Sequence, residues 1–178
     1  GMNIKPLLSI IITKKFNNIN SNLNGVNAIT LDDNRWSRPD IKTTQLLPNV
    51  LAKTEANKKG AFEGIFIDSD GYVTEGSSSN IWIINDNNEI ITRDLDGQIL
   101  SGITRKTIAQ FAKINNLIVK EEKFKKEELY KSKEVFLTSA SSFVTPIIKV
   151  DEIEINDGKI GQTSINLRNL YFSKLHKC

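Results

Sequence analysis

The 178-residue chain is expected to fold as one mixed α+β domain, long enough to bury a real core. From Ala61 to Thr92 the apolar residues recur at period two. Turn chemistry at Ser69-Asp70-Gly71 and Asp86-Asn87-Asn88 makes this an antiparallel meander. Segments with helical spacing stand singly between strand-like runs, which favours α+β over a doubly wound sheet. No internal repeat and no linker marks a second domain.

Taken in order, Pro6 to Thr13 is a short, β-branched apolar run that reads as a buried strand. Lys14 to Asn24 is polar and Asn-rich, a loop, and Gly25 to Leu31 alternates as a second strand. Asp32 to Thr44 is charged and contains Pro39, which argues against helix just before it. Leu46 to Lys58 reads as a helix with Pro48 in its first turn and Gly60 past its end. Leu47, Val50, Leu51 and Thr54 share one of its faces. Phe62 to Ile67, Tyr72 to Thr74, Asn80 to Ile84 and Glu89 to Thr92 are the strands of the meander. Ile103 to Ile114 is a second helix, with Thr104, Ile108, Phe111 and Ala112 on one face. A strand from Leu117 to Lys123 and a short charged helix from Lys126 to Lys131 follow. Glu134 to Thr138 and Phe143 to Val150 are strands around the polar loop Ser139 to Ser142. Asp151 to Lys159 forms a hairpin arm. Ser164 to Lys174 closes the chain as a helix with Leu167, Leu170, Tyr171 and Leu175 inward.

Hydrophobic residues make up 39% of the chain and charged ones 25%, the composition of a soluble globular protein. Net charge is +3 with lysines scattered among acids, which gives no nucleic-acid footprint. No apolar run reaches membrane-spanning length. The single cysteine, Cys178, excludes a disulfide framework within the chain and points to a reducing, cytoplasmic compartment. The single histidine, His176, sits near the C-terminus, so neither a catalytic triad nor a His-ligated metal is expected.

Four stretches could carry chemistry. Leu100-Ser101-Gly102-Ile103-Thr104-Arg105 runs from a glycine loop into a helix, where unpaired N–H groups and the helix dipole favour an anion. The plainer alternative is an ordinary helix start capped by Ser101 or Thr104. Lys42 stands alone between Pro39 and an apolar helix; partly desolvated, such a lysine can form a Schiff base with a carbonyl cofactor. Glu75 ends a strand and precedes Gly76-Ser77-Ser78-Ser79-Asn80. It is either a surface-turn residue or a carboxylate held ionised by hydroxyls and N–H groups to pair with a cation. Ser139 to Ser142 could supply further donors to a phosphate.

Together these residues make a set. Arg35-Trp36-Ser37-Arg38-Pro39-Asp40-Ile41-Lys42, then Leu46 to Lys53, Val73 to Asn80 and Ile99 to Arg105 resemble the class IV, fold-type IV pyridoxal phosphate (PLP) aminotransferases. The D-amino-acid branch matches best, and the blocks fall in the right order along essentially the whole chain. The resemblance implies a pseudo-barrel of antiparallel meanders with flanking helices. It also implies transamination of a D-amino acid such as D-alanine with a 2-oxo acid. Lys42 would be the Schiff-base lysine and proton carrier, and Glu75 would pair with the pyridine nitrogen. Leu100 would pack on the ring, Ile103 and Thr104 would hold the phosphate through N–H groups, and Ser139 and Ala140 would form a second phosphate-side loop. Ala140 departs from the hydroxyl residue common there, which leaves only a backbone contact. The family's smaller N-terminal domain, with an arginine for the phosphate and the substrate-carboxylate trap, has no counterpart in residues 1–178. They resemble the large C-terminal domain with its connecting segment. A homodimer is implied, and the Pro6 to Thr13 run is too apolar for an exposed edge. Within the family, branched-chain aminotransferase and aminodeoxychorismate lyase are the alternatives. Outside it, the alternative is a folded, non-catalytic remnant that dimerises.

Overall fold

A computed structural model describes residues 7–13 and 22–175. Nine strands form one mixed sheet, with strand order β3-β2-β1-β8-β7-β4-β5-β6 and β9 paired to β8. The first strand, β1 (Val26–Asp32), runs parallel to both β2 (Glu63–Ile67) and β8 (Phe143–Val150). A parallel pair needs a crossover, and α1 (Leu47–Lys58) supplies the one from β1 to β2. A tight turn with Gly71 at φ +83 folds β3 (Val73–Gly76) back on β2. A second hairpin joins β4 (Asn80–Ile84) to β5 (Ile90–Thr92). Helix α2 (Ile103–Ile114) crosses over to β6 (Val119–Glu121), which is parallel to β5. The short α3 (Lys126–Lys131) leads to β7 (Glu134–Ser139), which pairs antiparallel with both β4 and β8. The chain turns at β9 (Ile153–Glu154) and ends in α4 (Gln162–Leu175).

The sheet curls into a half-barrel because its two ends meet. The Val73 N–H donates to the Phe124 carbonyl at 3.0 Å, and the Lys126 N–H donates to the Gly71 carbonyl at 3.0 Å. Buried Arg93 stitches the same seam, donating to Asp68 Oδ2 at 3.0 Å, the Val73 carbonyl at 3.1 Å and Asp96 Oδ2 at 2.8 Å. One core, around Ile65, Ile83, Leu137 and Val150, fills the inside. A second, around Trp82, Phe136, Ile108 and Leu167, joins the sheet to α2 and α4.

Two expectations are corrected. Residues 7–13 are not a buried strand: they have no regular structure, and Leu7, Leu8, Ile10, Ile11 and Ile12 are exposed. No strand among the described residues pairs with them, so apolar content alone does not bury the run. Pro6 and most of the following loop lie outside the described residues, as does the Leu175 side chain. The meander is two hairpins, since β3 and β4 lie far apart in the strand order. The polar positions that create the period-two signal, such as Glu63, Asn80 and Thr92, are buried and hydrogen-bonded rather than facing water. On α1 the buried residues are Ala52 and Ala56, while Leu47, Val50 and Leu51 are more than half exposed. The helix lies so close to β2 that a Cβ on Gly64 would sit 3.2 Å from the Ala52 carbonyl oxygen, and only small residues fit.

No helix among the described residues is long and apolar enough to cross a membrane. No group of three or more potential metal ligands occurs among them either.

Candidate active site

The segment leading into α1 together with α1 itself, the β3–β4 turn, the Leu100 loop with the start of α2, and the β7–β8 turn line a cavity of about 840 Å³. Lys42, Glu75, Leu100, Ile103, Thr104, Ser139 and Ala140 all line it. Residues far apart in sequence thus reach one site because the half-barrel brings strand ends and the α2 start together.

The start of α2 is open. Its N-cap is Gly102, and no side chain caps the helix, so neither Ser101 nor Thr104 plays that part. The first-turn N–H groups therefore remain available to an anion. Thr104 is 2% exposed, yet its Oγ1 has no hydrogen-bond partner. A buried hydroxyl without a partner is costly, and an anion in the cavity would satisfy it. Gly102 is needed for space rather than for an unusual backbone: its φ is −66, and an added Cβ would lie 2.3 Å from Asn80 Oδ1. In the facing β7–β8 turn, the Ser139 hydroxyl is held at 2.7 Å from Ser142 Oγ and accepts the Ser142 N–H at 3.0 Å. Ala140 lies exposed beside it.

Glu75 sits deep in the site, and its partners differ from those expected. The serine hydroxyls do not hold it. Oε1 pairs with Arg35, while Oε2 accepts the Leu100 N–H at 3.0 Å and Asn80 Nδ2 at 3.1 Å. Asn80 also donates to the Leu100 carbonyl at 2.9 Å, so one asparagine ties acid and loop together. Arg35 is in turn fixed by Asp33 Oδ2 at 2.7 Å and donates to Thr74 Oγ1 at 3.2 Å. Arg35, Asn80 and Asp33 were missed as site residues. Arg35 lies inside a motif stretch, but only the fold shows that it reaches Glu75.

Burial pushes the Glu75 carboxyl up to about 7 from an ordinary 4.5, against the pull of Arg35 and the Leu100 N–H, so it is not held fully ionised at neutral pH. Burial would also raise Asp33, but the hydrogen bonds and charge of Arg35 outweigh it and hold that carboxyl low. For Glu75, the folded state alone keeps the proton between pH 4.5 and about 7, so its contribution to stability falls as pH rises through that window. Glu75→Gln cannot titrate. The stability of wild type minus variant should drop across the window by on the order of 3 kcal/mol and then level off. Urea denaturation at several pH values checks this, and a difference that grows with pH would contradict it.

Lys42 lies in the irregular segment between β1 and α1 and is exposed, not partly desolvated as expected, because this segment borders the open cavity mouth. It makes no hydrogen bond or ion pair among the described residues. Lys53 also lines the cavity, but its Nζ donates to the Phe62 carbonyl and lies 4.2 Å from the Phe62 ring centre. Of the two lysines, only Lys42 presents a free amine.

A family model described as amino-transferase class IV matches residues 7–150. The D-alanine aminotransferase of Staphylococcus aureus is 46% identical over 145 residues, 82% of this chain and 51% of the relative. That of Listeria innocua is 40% identical over 153 residues, 86% of this chain and 52% of the relative. The chain therefore spans about half the length of the curated relatives it matches. Among solved structures, a branched-chain amino acid aminotransferase from Thermobaculum terrenum in its PLP form superposes with a TM-score of 0.80. It is 26% identical, and the match covers 89% of this chain and 53% of that one.

Proposed function

The chain belongs to the class IV aminotransferases, and we propose on that premise that it is the pyridoxal phosphate-holding domain of a D-amino-acid aminotransferase. D-Alanine and a 2-oxo acid are its substrates. One observation carries the reading: an open helix start with an orphaned hydroxyl, a buried acid and a free lysine converge on one cavity.

The donor set fits the cofactor. Ile103, Thr104 and the Ser139–Ala140 turn would hold the phosphate, the last through backbone at Ala140. Glu75 would accept from the ring nitrogen, Leu100 would cover the ring, and Lys42 would meet the aldehyde. When bound, pyridoxal phosphate supplies an electron sink for the pair released at the substrate α-carbon. Lys42 Nζ takes up the α-proton and delivers it again. Glu75, with its protonation balanced near neutrality, holds a proton at the ring nitrogen. Arg35 and Asn80 fix the direction in which Glu75 points.

The D-amino-acid branch is favoured over the branched-chain one by the relatives at 40–46% identity. The branched-chain structures share the fold at lower identity. Turnover of D-alanine with 2-oxoglutarate, measured beside L-leucine, separates the branches. Preference for L-leucine would reassign the chain. Cofactor uptake without turnover of either would favour the non-catalytic alternative. A cytoplasmic homodimer completes the proposal, supported by the exposed apolar residues 7–13. A strictly monomeric particle in light scattering would remove the dimer.

A further inference from the structure

We propose that Glu63 is a positioning residue of this site, clamping the β3–β4 turn that lines the cavity so that Ser77 and Ser79 are held buried and only Ser78 is exposed. Glu63 is 1% exposed and touches no group of the cofactor set. Its hydrogen bonds go to the turn and to its own strand. Oε1 accepts the Ser77 hydroxyl, the Gly64 N–H at 3.0 Å and, at 3.2 Å, the Ser77 N–H, which also donates to the Gly64 carbonyl at 2.9 Å. Oε2 accepts the Ser79 hydroxyl at 2.8 Å. From the other side, Asn49 Nδ2 on α1 donates to the Ser77 carbonyl at 2.9 Å. Ser77 and Ser79 are buried by this grip, and Ser78 between them is exposed on the cavity wall. Gly76 completes the clamp, since a Cβ there would lie 2.2 Å from Ser79 Oγ and 3.1 Å from Glu63 Cδ.

The turn directly follows Glu75 and directly precedes Asn80, both of which bond the Leu100 loop. Loosening it therefore disturbs the acid and its orienting amide together. A burial role alone would call for an apolar side chain, whereas four bonds to the turn and its strand make sense only if the turn's shape matters. The proposal rests on the cofactor reading for what the turn meets, and on geometry alone for what holds it.

The test compares wild type with Glu63→Leu, which keeps bulk and removes every acceptor, and with Glu63→Gln, whose amide oxygen still accepts from Ser77 while its NH₂ donates to Ser79. Two readouts are needed: exchange of the Ser77 backbone amide without ligand, and pyridoxal phosphate affinity by visible absorbance, well below melting. Glu63→Leu should speed Ser77 exchange and weaken pyridoxal phosphate binding, each about tenfold or more, from the loss of one or more hydrogen bonds. Glu63→Gln should restore most of both. If Glu63→Leu does not fold, the pair Ser77→Ala and Ser79→Ala removes the side-chain half of the clamp and should weaken binding likewise. Unchanged Ser77 exchange overturns the clamp. Faster exchange with unchanged affinity makes Glu63 merely structural and overturns the positioning role. A wild-type chain that takes up no pyridoxal phosphate overturns the cofactor reading instead, and does so without any variant.

Discussion

Lys42→Ala should lower transamination by roughly 10²–10⁴-fold or more, the scale of losing a positioned acid–base group, and should abolish covalent uptake of pyridoxal phosphate. The physical ground is the contrast between the two lysines of the cavity. Lys53 is committed to the Phe62 carbonyl and ring, whereas Lys42 has no partner among the described residues. Folding should be indifferent, because the side chain is exposed and buries nothing. Rate assays with a melting curve on the same sample check both halves. A variant that keeps its rate, or that loses rate only because it unfolds, would remove Lys42 from the chemistry.

Arg35→Ala should cost stability on the order of 3–5 kcal/mol, because it strands a buried acid. The side chains of Arg35 and Glu75 are 4% and 9% exposed, so water cannot replace the lost partner. Arg35 also bonds Asp33, Thr74 and the Gln98 carbonyl, and these acceptors lose a donor together. With its main opposing charge gone, Glu75 should titrate above its present value of about 7. The double variant Arg35→Ala with Glu75→Gln should recover part of the loss, since Glu75 is then no longer a stranded acid and only Asp33 still lacks its cation. Urea denaturation of Arg35→Ala, Glu75→Gln and the double variant measures it. A loss below about 1 kcal/mol for the single variant would mean that the pair behaves as an exposed one.

Most of the secondary structure was legible because its signals are local. The helix over Ile103–Ile114 carries its own periodicity, and β8 is a β-branched run bounded by turn residues. What failed depends on partners that a sequence does not show. The 7–13 run has strand composition but no strand to pair with among the described residues. The face shared by Leu47, Val50, Leu51 and Thr54 on α1 is not the one that packs on the sheet, because the close approach of Gly64 selects alanine there. In the site, the residues singled out from the sequence are those that a motif surrounds. All seven line one cavity. Residues that act through another residue were not found. Arg35, Asn80 and Glu63 have meaning only once β2, β3 and the Leu100 loop lie side by side.

The central claim is that Lys42, Glu75 and the start of α2 form one pyridoxal phosphate site. Its most direct test is reductive trapping. The purified chain is mixed with pyridoxal phosphate, reduced with borohydride, digested, and mapped by mass spectrometry. The account predicts one predominant labelled peptide, carrying the adduct on Lys42, with labelling suppressed by competing inorganic phosphate. Label on Lys53 or Lys106, or label spread evenly over the exposed lysines, would contradict it.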